Sequence, residues 1–307
     1  MFFSLPHVVQ RYSRLVAFEH TVFALPFTLS ALLLAQPFRG AWFPKLEVVV
    51  WVVLAMVGGR TFAMGLNRLA DRHIDAQNPR TANRELPQGT VSLRGAWLLT
   101  LGALGLLVLA TLQLPVLCQQ LLPVAFVFLT AYSYTKRFTS LCHVVLGLCL
   151  GSAAIAGWLA STGEWNHGLP VLFGLGVLLW VTGFDILYAC QDSEFDTAQG
   201  LYSIPAKLGL DQAFAVSELC HLGCVGVMAG FAVAYAQSHP LMLQRPAYGF
   251  WLALSVMTYL LWKQRQLISP EDLTRMNQAF FTLNGQISVL VLTGCVLDAL
   301  AHQFGWY

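Results

Sequence analysis

Three oxygen-bearing side chains recur at every fourth position of the segment NRLADRHID, which ends a long apolar run. They are Asn67, Asp71 and Asp75. On a helix this spacing turns each group by only about 40° from the previous one, so all three oxygens project from one face. Carboxylates four residues apart repel each other by roughly 0.2–0.5 kcal/mol, a repulsion that a bound cation would convert into ligation. Hard oxygen donors suit Mg²⁺, which completes its shell with water and substrate phosphate.

A second acidic cluster follows in FDILYACQDSEFD, where Asp185, Tyr188, Asp192 and Asp196 fall near one helix face by their 3-4-4 spacing. Asp192 and Asp196 are the predicted metal ligands here, shared with the first cluster, and Glu194 points elsewhere. Asp185 belongs to the apolar run itself. Burying it without a counter-ion would cost several kcal/mol, so a cation, an arginine or water must meet it. The two clusters together predict a metal-diphosphate site.

Four arginines flank the first cluster, at Arg68, Arg72, Arg80 and Arg84. The guanidinium fork matches phosphate oxygens in a bidentate manner, so an anion is expected beside the metal. The alternative is that these arginines only follow the positive-inside rule of membrane proteins.

Two polar sites inside apolar runs are each open to two interpretations. Arg60 lies seven residues before Asn67 and faces the same way, about 10 Å deeper. It could reach a diphosphate from below, or pair structurally with Asp185 or Glu19. His20, beside Glu19 in FEHTVFALPF, could line an acceptor pocket or be structural.

A third group of side chains closes the fourth apolar run at Tyr132, Tyr134, Lys136 and Arg137. Tyr132 and Lys136 are four residues apart, which places a ring beneath an ammonium group. This arrangement suits phosphate binding and shielding of a cation by the ring face, although an aromatic belt with snorkelling cations gives the same pattern. Lys207, after the turn GLYSIP, is either a further phosphate ligand or a solvated loop lysine.

The composition is that of a polytopic membrane protein. Only 10% of the residues are charged and 57% are hydrophobic, whereas soluble domains carry about 25% charged residues. A net charge of +2 without a basic arm argues against nucleic acid as a partner. The seven cysteines show no metal-ligand spacing and are predicted to be small buried hydrophobes. Arg11 and Arg14 precede the first apolar run without a convincing cleavage site, which favours a retained helix over a signal peptide.

Nine apolar runs approach the roughly 20 residues that span a bilayer, so we expect an all-α bundle of nine transmembrane helices around a central cavity. The runs lie at 17–36, 47–66, 95–114, 116–134, 141–160, 170–190, 211–235, 247–263 and 280–300.

Most of the 17 lysines and arginines fall in loops on one side, which predicts a cytoplasmic N-terminus and a cavity open to the cytoplasm. The predicted organisation is one domain over 1–307, with an interfacial segment at 1–16 and catalytic loops at 67–94 and 191–210. Close helix packing is expected at the glycine pairs Gly102/Gly105, Gly147/Gly151 and Gly174/Gly176.

These residues together resemble the UbiA superfamily of intramembrane prenyltransferases. The resemblance covers nearly the whole chain and rests on N-x-x-x-D-x-x-x-D at Asn67/Asp71/Asp75 with RTANRELPQG, Y-x-x-x-K at Tyr132/Lys136, and D-x-x-x-D at Asp192/Asp196. It implies transfer of a polyprenyl group from its diphosphate to an acceptor, commonly an aromatic quinone precursor. In the family the two aspartate motifs hold Mg²⁺ on the diphosphate, whose departure leaves an allylic cation that the ring attacks through carbon. The implied setting is the lipid of a bacterial cytoplasmic (inner) membrane.

The branch of the family sets the acceptor. FEHTVFALPF replaces the K-P-x-G-like stretch that is usual in 4-hydroxybenzoate transferases. Together with GGRTFAMGLNRLADRHIDAQNPRTANRELPQG and YACQDSEFDTAQGLYSIPAKLG, it looks more like the menaquinone branch of the futalosine route. That branch implies a carboxylated naphthol-type acceptor, with Arg137 or Arg60 on the carboxylate. The alternative within the family is a 4-hydroxybenzoate polyprenyltransferase of ubiquinone biosynthesis.

A different class, a cation-coupled membrane transporter, would need broken helices and carboxylates near mid-membrane. Four of the five key acids are instead expected at one interface. The D-G-x-x-A-R pattern of CDP-alcohol phosphotransferases is absent from the sequence, and the composition excludes a soluble isoprenyl synthase.

Overall fold

The computed structural model describes residues 7–16, 21–165, 168–238 and 247–306 of the 307-residue chain. Within these ranges the only strand-like pairing is an isolated bridge between Ser269 and Asp272, which confirms the all-α prediction. The helices are α1 His7–Leu15, α2 Thr21–Leu34, α3 Leu46–Gln77, α4 Leu93–Thr111, α5 Val116–Thr135, α6 Cys142–Thr162, α7 Leu169–Ala189, α8 Ser193–Ala198, α9 Ile204–Leu208, α10 Leu210–Ser238, α11 Tyr248–Leu267 and α12 Asn284–Phe304.

All nine predicted apolar runs contain a helix, and in the described ranges seven of these helices are long and apolar enough to cross a membrane. The other two runs correspond to α2 and α11. The described part of α2 is 14 residues long, and α11 ends in a polar turn that includes Lys263 and Arg265. A full crossing by these two helices, and the side of the membrane on which the cavity opens, stay predictions.

The helices pack in neighbouring pairs around an aromatic core. Helix α3 packs on α4, α6 and α10 pack on α7, and α2 and α11 pack on α12. The core is dominated by rings, and those of Phe27 and Trp180 lie 4.8 Å apart. Trp158, Phe173 and Trp180 are almost completely buried. These contacts hold α2, α6, α7 and α12 side by side below the acidic residues.

Glycines bring the backbones of α6 and α7 into contact. A Cβ at Gly151 would lie 2.6 Å from the carbonyl oxygen of Gly174, and one at Gly147 would be equally crowded. Close packing at these positions is therefore confirmed. The same prediction for Gly102 and Gly105 is wrong, because nothing lies within 4 Å of either position and both face outward from α4. Spacing alone does not tell which helix face meets a neighbour.

We expect Gly151→Ala to lower the thermal unfolding temperature in detergent. The added methyl group meets a backbone oxygen that cannot rotate away, and overpacking of this kind costs about 1–3 kcal/mol. Gly102→Ala is the matched control, expected to leave the unfolding temperature unchanged or slightly raised, because alanine favours the helix over glycine. Equal shifts in the two variants would contradict this account of the α6–α7 contact.

Candidate functional site

One cavity of about 250 Å³ lies where the polar ends of α3, α5 and α7 meet. Most residues singled out from the sequence line it: Arg60, Asn67, Arg68, Asp71, Asp75, Arg80, Arg84, Tyr132, Lys136, Arg137, Asp185, Tyr188 and Asp192. Their functional roles stay predictions, but their convergence in one cavity is a feature of the fold. Residues of both acidic clusters therefore face the same cavity.

The first cluster lies on the last turns of α3. This helix continues to Gln77, so the predicted loop 67–94 begins only at Asn78, whose backbone N–H still donates to the carbonyl of Ile74. The four-residue spacing keeps Asn67 and Asp71 on one face, where Asn67 Nδ2 donates to Asp71 Oδ2 at 2.9 Å. A helix fixes these side chains more rigidly than a loop would.

Each carboxylate of the first cluster has a guanidinium partner. Arg137 Nη2 lies 2.6 Å from Asp71 Oδ1, and Arg84 Nη1 lies 2.6 Å from Asp75 Oδ1. Arg68 approaches Asp75 to 4.0 Å while its Nε donates to the Leu15 carbonyl on α1. These ion pairs limit the desolvation cost of carboxylates taken partly out of water.

The two motifs are joined directly at Asp192. Arg80 grips this carboxylate through Nε, at 2.8 Å, and through Nη2, and Asn78 Nδ2 donates to it at 2.8 Å. The Arg80 guanidinium also lies 5.2 Å from the Tyr188 ring centroid. Burial disfavours the charge on Arg80, but the hydrogen bonds and charge of Asp192 outweigh burial and raise the pKa of this guanidinium above its ordinary value. Arg80 therefore stays cationic.

The second cluster does not form one continuous α-helical face, which corrects the 3-4-4 prediction. A three-residue 3₁₀ turn, Cys190–Asp192, separates α7 from α8, and its tighter winding redirects the following residues. Asp196, on α8, is fully buried and lies 2.8 Å from Lys136 Nζ. It does not line the cavity.

Several predicted contacts fall elsewhere. Lys136 reaches Asp196 rather than stacking on Tyr132, while the Arg137 guanidinium lies 5.3 Å from the Tyr134 ring. Arg72 Nη1 donates to the carbonyl of Leu69 on its own helix, and Arg72 does not line the cavity.

Three further predictions concern Lys207, the His20 pocket and the partner of Arg60. Lys207 lies in the last turn of α9 and is not among the residues lining the cavity. His20 and Glu19 lie outside the described residues. Arg60 lines the cavity, and its buried Nε has no hydrogen-bond partner in the described ranges. Its predicted partner Asp185 pairs instead with His143, at 2.7 Å.

Sequence reasoning missed two residues of the site. Asn78 caps the end of α3 and binds Asp192, and the Asn-Pro pair at 78–79 is the signal that marked this turn. His143 lies in the first turn of an apolar helix, α6, and its partner on α7 lies 42 positions away in sequence. No local pattern indicates that contact.

One wall of the cavity is aromatic, and it begins at Tyr188, beside Arg80. Tyr188 and Phe280 have ring centroids 4.1 Å apart, and Phe184 lies 5.3 Å from Phe280. Phe23 completes this wall, 5.6 Å from Phe280. A π-helical segment, Gln278–Leu283, carries Phe280 directly before α12. The cavity therefore joins a charged mouth to an apolar, ring-lined interior.

The donor set fits a divalent cation that arrives with phosphate. Carboxylate and amide oxygens from both clusters share the cavity, as Mg²⁺ prefers. Within the described ranges, no three acidic, histidine or cysteine side chains are close enough to form a metal site by themselves. The residues therefore suit a cation that takes part of its shell from a diphosphate rather than an all-protein cage.

Comparisons with known proteins agree with this geometry. Residues 24–285 match the model of the UbiA prenyltransferase family. A relative from Nitrosospira multiformis, named 4-hydroxybenzoate octaprenyltransferase, is 31% identical over 94% of this chain and 97% of the relative. Among solved structures, the apo structure of a UbiA homolog from Aeropyrum pernix K1 has a TM-score of 0.77 and 30% identity, covering 91% of this chain and 98% of that one. A UbiA homolog from Archaeoglobus fulgidus bound to DMAPP and Mg²⁺ has a TM-score of 0.67 at 20% identity, covering 94% and 99%.

Proposed function

The chain belongs to the UbiA prenyltransferase family, and from that premise we propose that it transfers a polyprenyl group from its diphosphate to a hydroxylated aromatic carboxylate. The protein is a membrane-embedded prenyltransferase with apolar spanning helices. The proposed setting is a bacterial inner membrane with the cavity open to the cytoplasm, because most loop cations lie on the side of the acidic clusters.

The apposition of Arg80 and Asp192 carries the proposal. It joins the end of the first acidic motif to the second across 112 residues of sequence. Such a junction places carboxylates and guanidinium groups around one small volume. A diphosphate with a divalent cation needs both kinds of group at once, since the cation binds carboxylates while arginine forks bind phosphate oxygens.

We propose that the residues divide into two sets. Asn67, Asp71, Asp75 and Asp192 would hold Mg²⁺, which when bound neutralises charge on the leaving diphosphate. Arg80, Arg84 and Arg137 would turn from their carboxylates to phosphate oxygens, because their present partners would then be engaged by the cation. Asp196, buried against Lys136, positions that ammonium group at the mouth.

The aromatic interior suits the prenyl side of the reaction. Loss of diphosphate from an allylic carbon leaves a delocalised cation that water would quench. The rings of Phe184, Tyr188 and Phe280 exclude water from the interior, and their faces attract positive charge. The electron-rich ring of the acceptor then forms a carbon–carbon bond in place of the broken carbon–oxygen bond, and the proton released from the attacked ring carbon leaves with the diphosphate.

The comparisons favour 4-hydroxybenzoate as the acceptor over the naphthol-type ring that the sequence predicted. The relative that is 31% identical is named for 4-hydroxybenzoate, whereas the menaquinone assignment rests on the resemblance of FEHTVFALPF and of the two segments that carry the acidic motifs to that branch. We therefore propose 4-hydroxybenzoate as the acceptor. The carboxylated naphthol-type ring is the second candidate, on the strength of those three segments.

A competition assay tests the acceptor. Membranes containing the protein are offered one labelled polyprenyl diphosphate together with equal amounts of 4-hydroxybenzoate and a carboxylated naphthol. We expect prenylated 4-hydroxybenzoate to dominate by at least about tenfold, a difference of about 1.4 kcal/mol between the two transition states. Membranes without the protein are the control. Dominant prenylation of the naphthol would reverse the choice of acceptor, and no product from either would remove the proposed function.

A further inference from the structure

A buried histidine contacts two separate parts of the site. His143 lies at the start of α6 with its side chain 3% exposed. Its Nδ1 is 2.7 Å from Asp185 Oδ2 on α7. On the other side of the ring, Nε2 is 3.3 Å from the backbone nitrogen of Ile204, at the start of α9. Both ring nitrogens are therefore engaged.

The Ile204 contact fixes the tautomer of the imidazole. A backbone N–H can only donate, so the hydrogen bond from Ile204 requires a lone pair on Nε2. The ring hydrogen then resides on Nδ1 and is donated to Asp185. Asp185 receives a fixed hydrogen bond on Oδ2, while no described group hydrogen-bonds to its other oxygen, Oδ1. His143 thus holds the Asp185 carboxylate in one orientation and leaves Oδ1 available as a hydrogen-bond acceptor.

Asp185 lies at the boundary between the charged mouth and the aromatic interior. It precedes Asp192 by seven residues, which places it about 10 Å farther along the helix axis. Its side chain is 22% exposed and lines the cavity together with Phe184 and Phe280. A ring that attacks the prenyl carbon must lie on this side of the diphosphate. A carboxylate oxygen that faces the cavity and accepts no hydrogen bond from the described residues is a strong acceptor for a hydroxyl group.

We propose that His143 is a positioning residue that aims Asp185 at the ring hydroxyl of the aromatic acceptor. Asp185 accepts a hydrogen bond from that hydroxyl, which orients the ring and increases its electron density. This inference rests on the proposed function and holds for a benzoate-type or a naphthol-type acceptor, because both carry a ring hydroxyl.

The same histidine contacts the segment that follows the second acidic cluster. Tyr202, two residues before Ile204, donates its backbone N–H to the Lys136 carbonyl at 2.8 Å, and Cys142 Sγ lies 3.5 Å from the Tyr202 carbonyl. A purely structural role, in which His143 only anchors this segment, makes a different prediction. If His143 only anchors the segment, its replacement would weaken diphosphate binding, on the side where Lys136 lies, as much as it impairs use of the acceptor.

Two variants separate the two roles. Glutamine in His143→Gln carries one acceptor oxygen and one donor nitrogen, so it can reproduce both hydrogen bonds, whereas leucine in His143→Leu fills a similar volume and reproduces neither. With the full-length protein in detergent or nanodiscs, we expect H143L to lower kcat/KM for the acceptor by about 10- to 100-fold. The affinity for an unreactive prenyl thiolodiphosphate with Mg²⁺ stays within about twofold of wild type. H143Q recovers most of the lost activity.

A double variant tests whether His143 acts through Asp185. Because interaction energies appear as non-additivity between contacting residues, H143L is expected to change little in a D185N background. If H143L does not fold, H143N replaces it, since the shorter amide reaches only one of the two partners.

Four outcomes overturn the inference: unchanged kcat/KM in H143L, equal loss in H143Q and H143L, a parallel loss of thiolodiphosphate affinity, or full additivity with D185N. A wild-type protein that binds the thiolodiphosphate yet prenylates no aromatic acceptor defeats the proposed function itself, and the inference with it. An active wild type with an unaffected H143L defeats only the role of His143.

Discussion

Replacing Asp192 with alanine is expected to lower kcat by roughly 10²- to 10³-fold while the protein still inserts into the membrane. The substitution removes a proposed cation ligand and also releases Arg80 and Asn78, which both bind this carboxylate. The site then loses the contact that joins the segment after the first acidic cluster to the second acidic cluster. Prenyl transfer to the acceptor, measured with purified protein at saturating Mg²⁺, reports the loss.

Glu194→Ala is the matched control for this variant. Glu194 is an exposed carboxylate two residues from Asp192, so its removal changes the net charge equally without touching the cavity. Asp192→Asn separates charge from shape, because the amide keeps an oxygen acceptor but not the negative charge, and we expect its activity to remain close to that of Asp192→Ala. Mg²⁺-dependent turnover near the wild-type rate in both Asp192 variants would remove Asp192 from the proposed ligand set.

Removal of divalent cations is expected to weaken binding of an unreactive prenyl thiolodiphosphate by about 10- to 100-fold, which is about 1.4–2.8 kcal/mol. Without a cation the diphosphate faces the carboxylates of Asp71, Asp75 and Asp192, and the arginines remain engaged with those carboxylates. The dissociation constant is measured in EDTA and again after Mg²⁺ is restored.

The corresponding prenyl alcohol provides the control for the chelation experiment. It lacks the diphosphate, so its affinity is expected to be the same with and without EDTA. A thiolodiphosphate affinity that does not respond to EDTA would show that the arginines suffice, and the metal assignment would fail while the anion site remained.

The local part of the site could be predicted from sequence because a helix fixes it. Asn67 and Asp71 share a face through the four-residue period alone, and the structure shows them hydrogen-bonded. The meeting of Asp192 with Arg80 followed only indirectly, from the argument that one cation would serve both acidic clusters. In the structure Asp192 accepts hydrogen bonds from the Arg80 guanidinium and from the Asn78 amide. This contact depends on the turn after α3 and could not be predicted from spacing.

The predicted side-chain partners were wrong where they depend on which helices pack together. Arg60 and Asp185 are polar groups in apolar runs, so each was a reasonable partner for the other. The glycine contact between α6 and α7 instead brings His143 to Asp185. The sequence offered Gly102 and Gly151 as equal candidates for close packing, and only the fold distinguishes them. The 3₁₀ turn before α8 likewise redirects Asp196 toward Lys136, which no helical period anticipates.

The Arg80–Asp192 junction also has a consequence for biosynthesis. Arg80 leaves the ribosome 112 residues ahead of Asp192, an interval of roughly 5 to 20 s at ordinary elongation rates. Throughout that time Arg80 is present in the nascent chain, but its partner Asp192 has not yet been synthesised. The cavity is therefore completed only after α7 has entered the bilayer. In a nascent chain arrested before that point, the Arg80 guanidinium would lie at the membrane surface without its carboxylate partner.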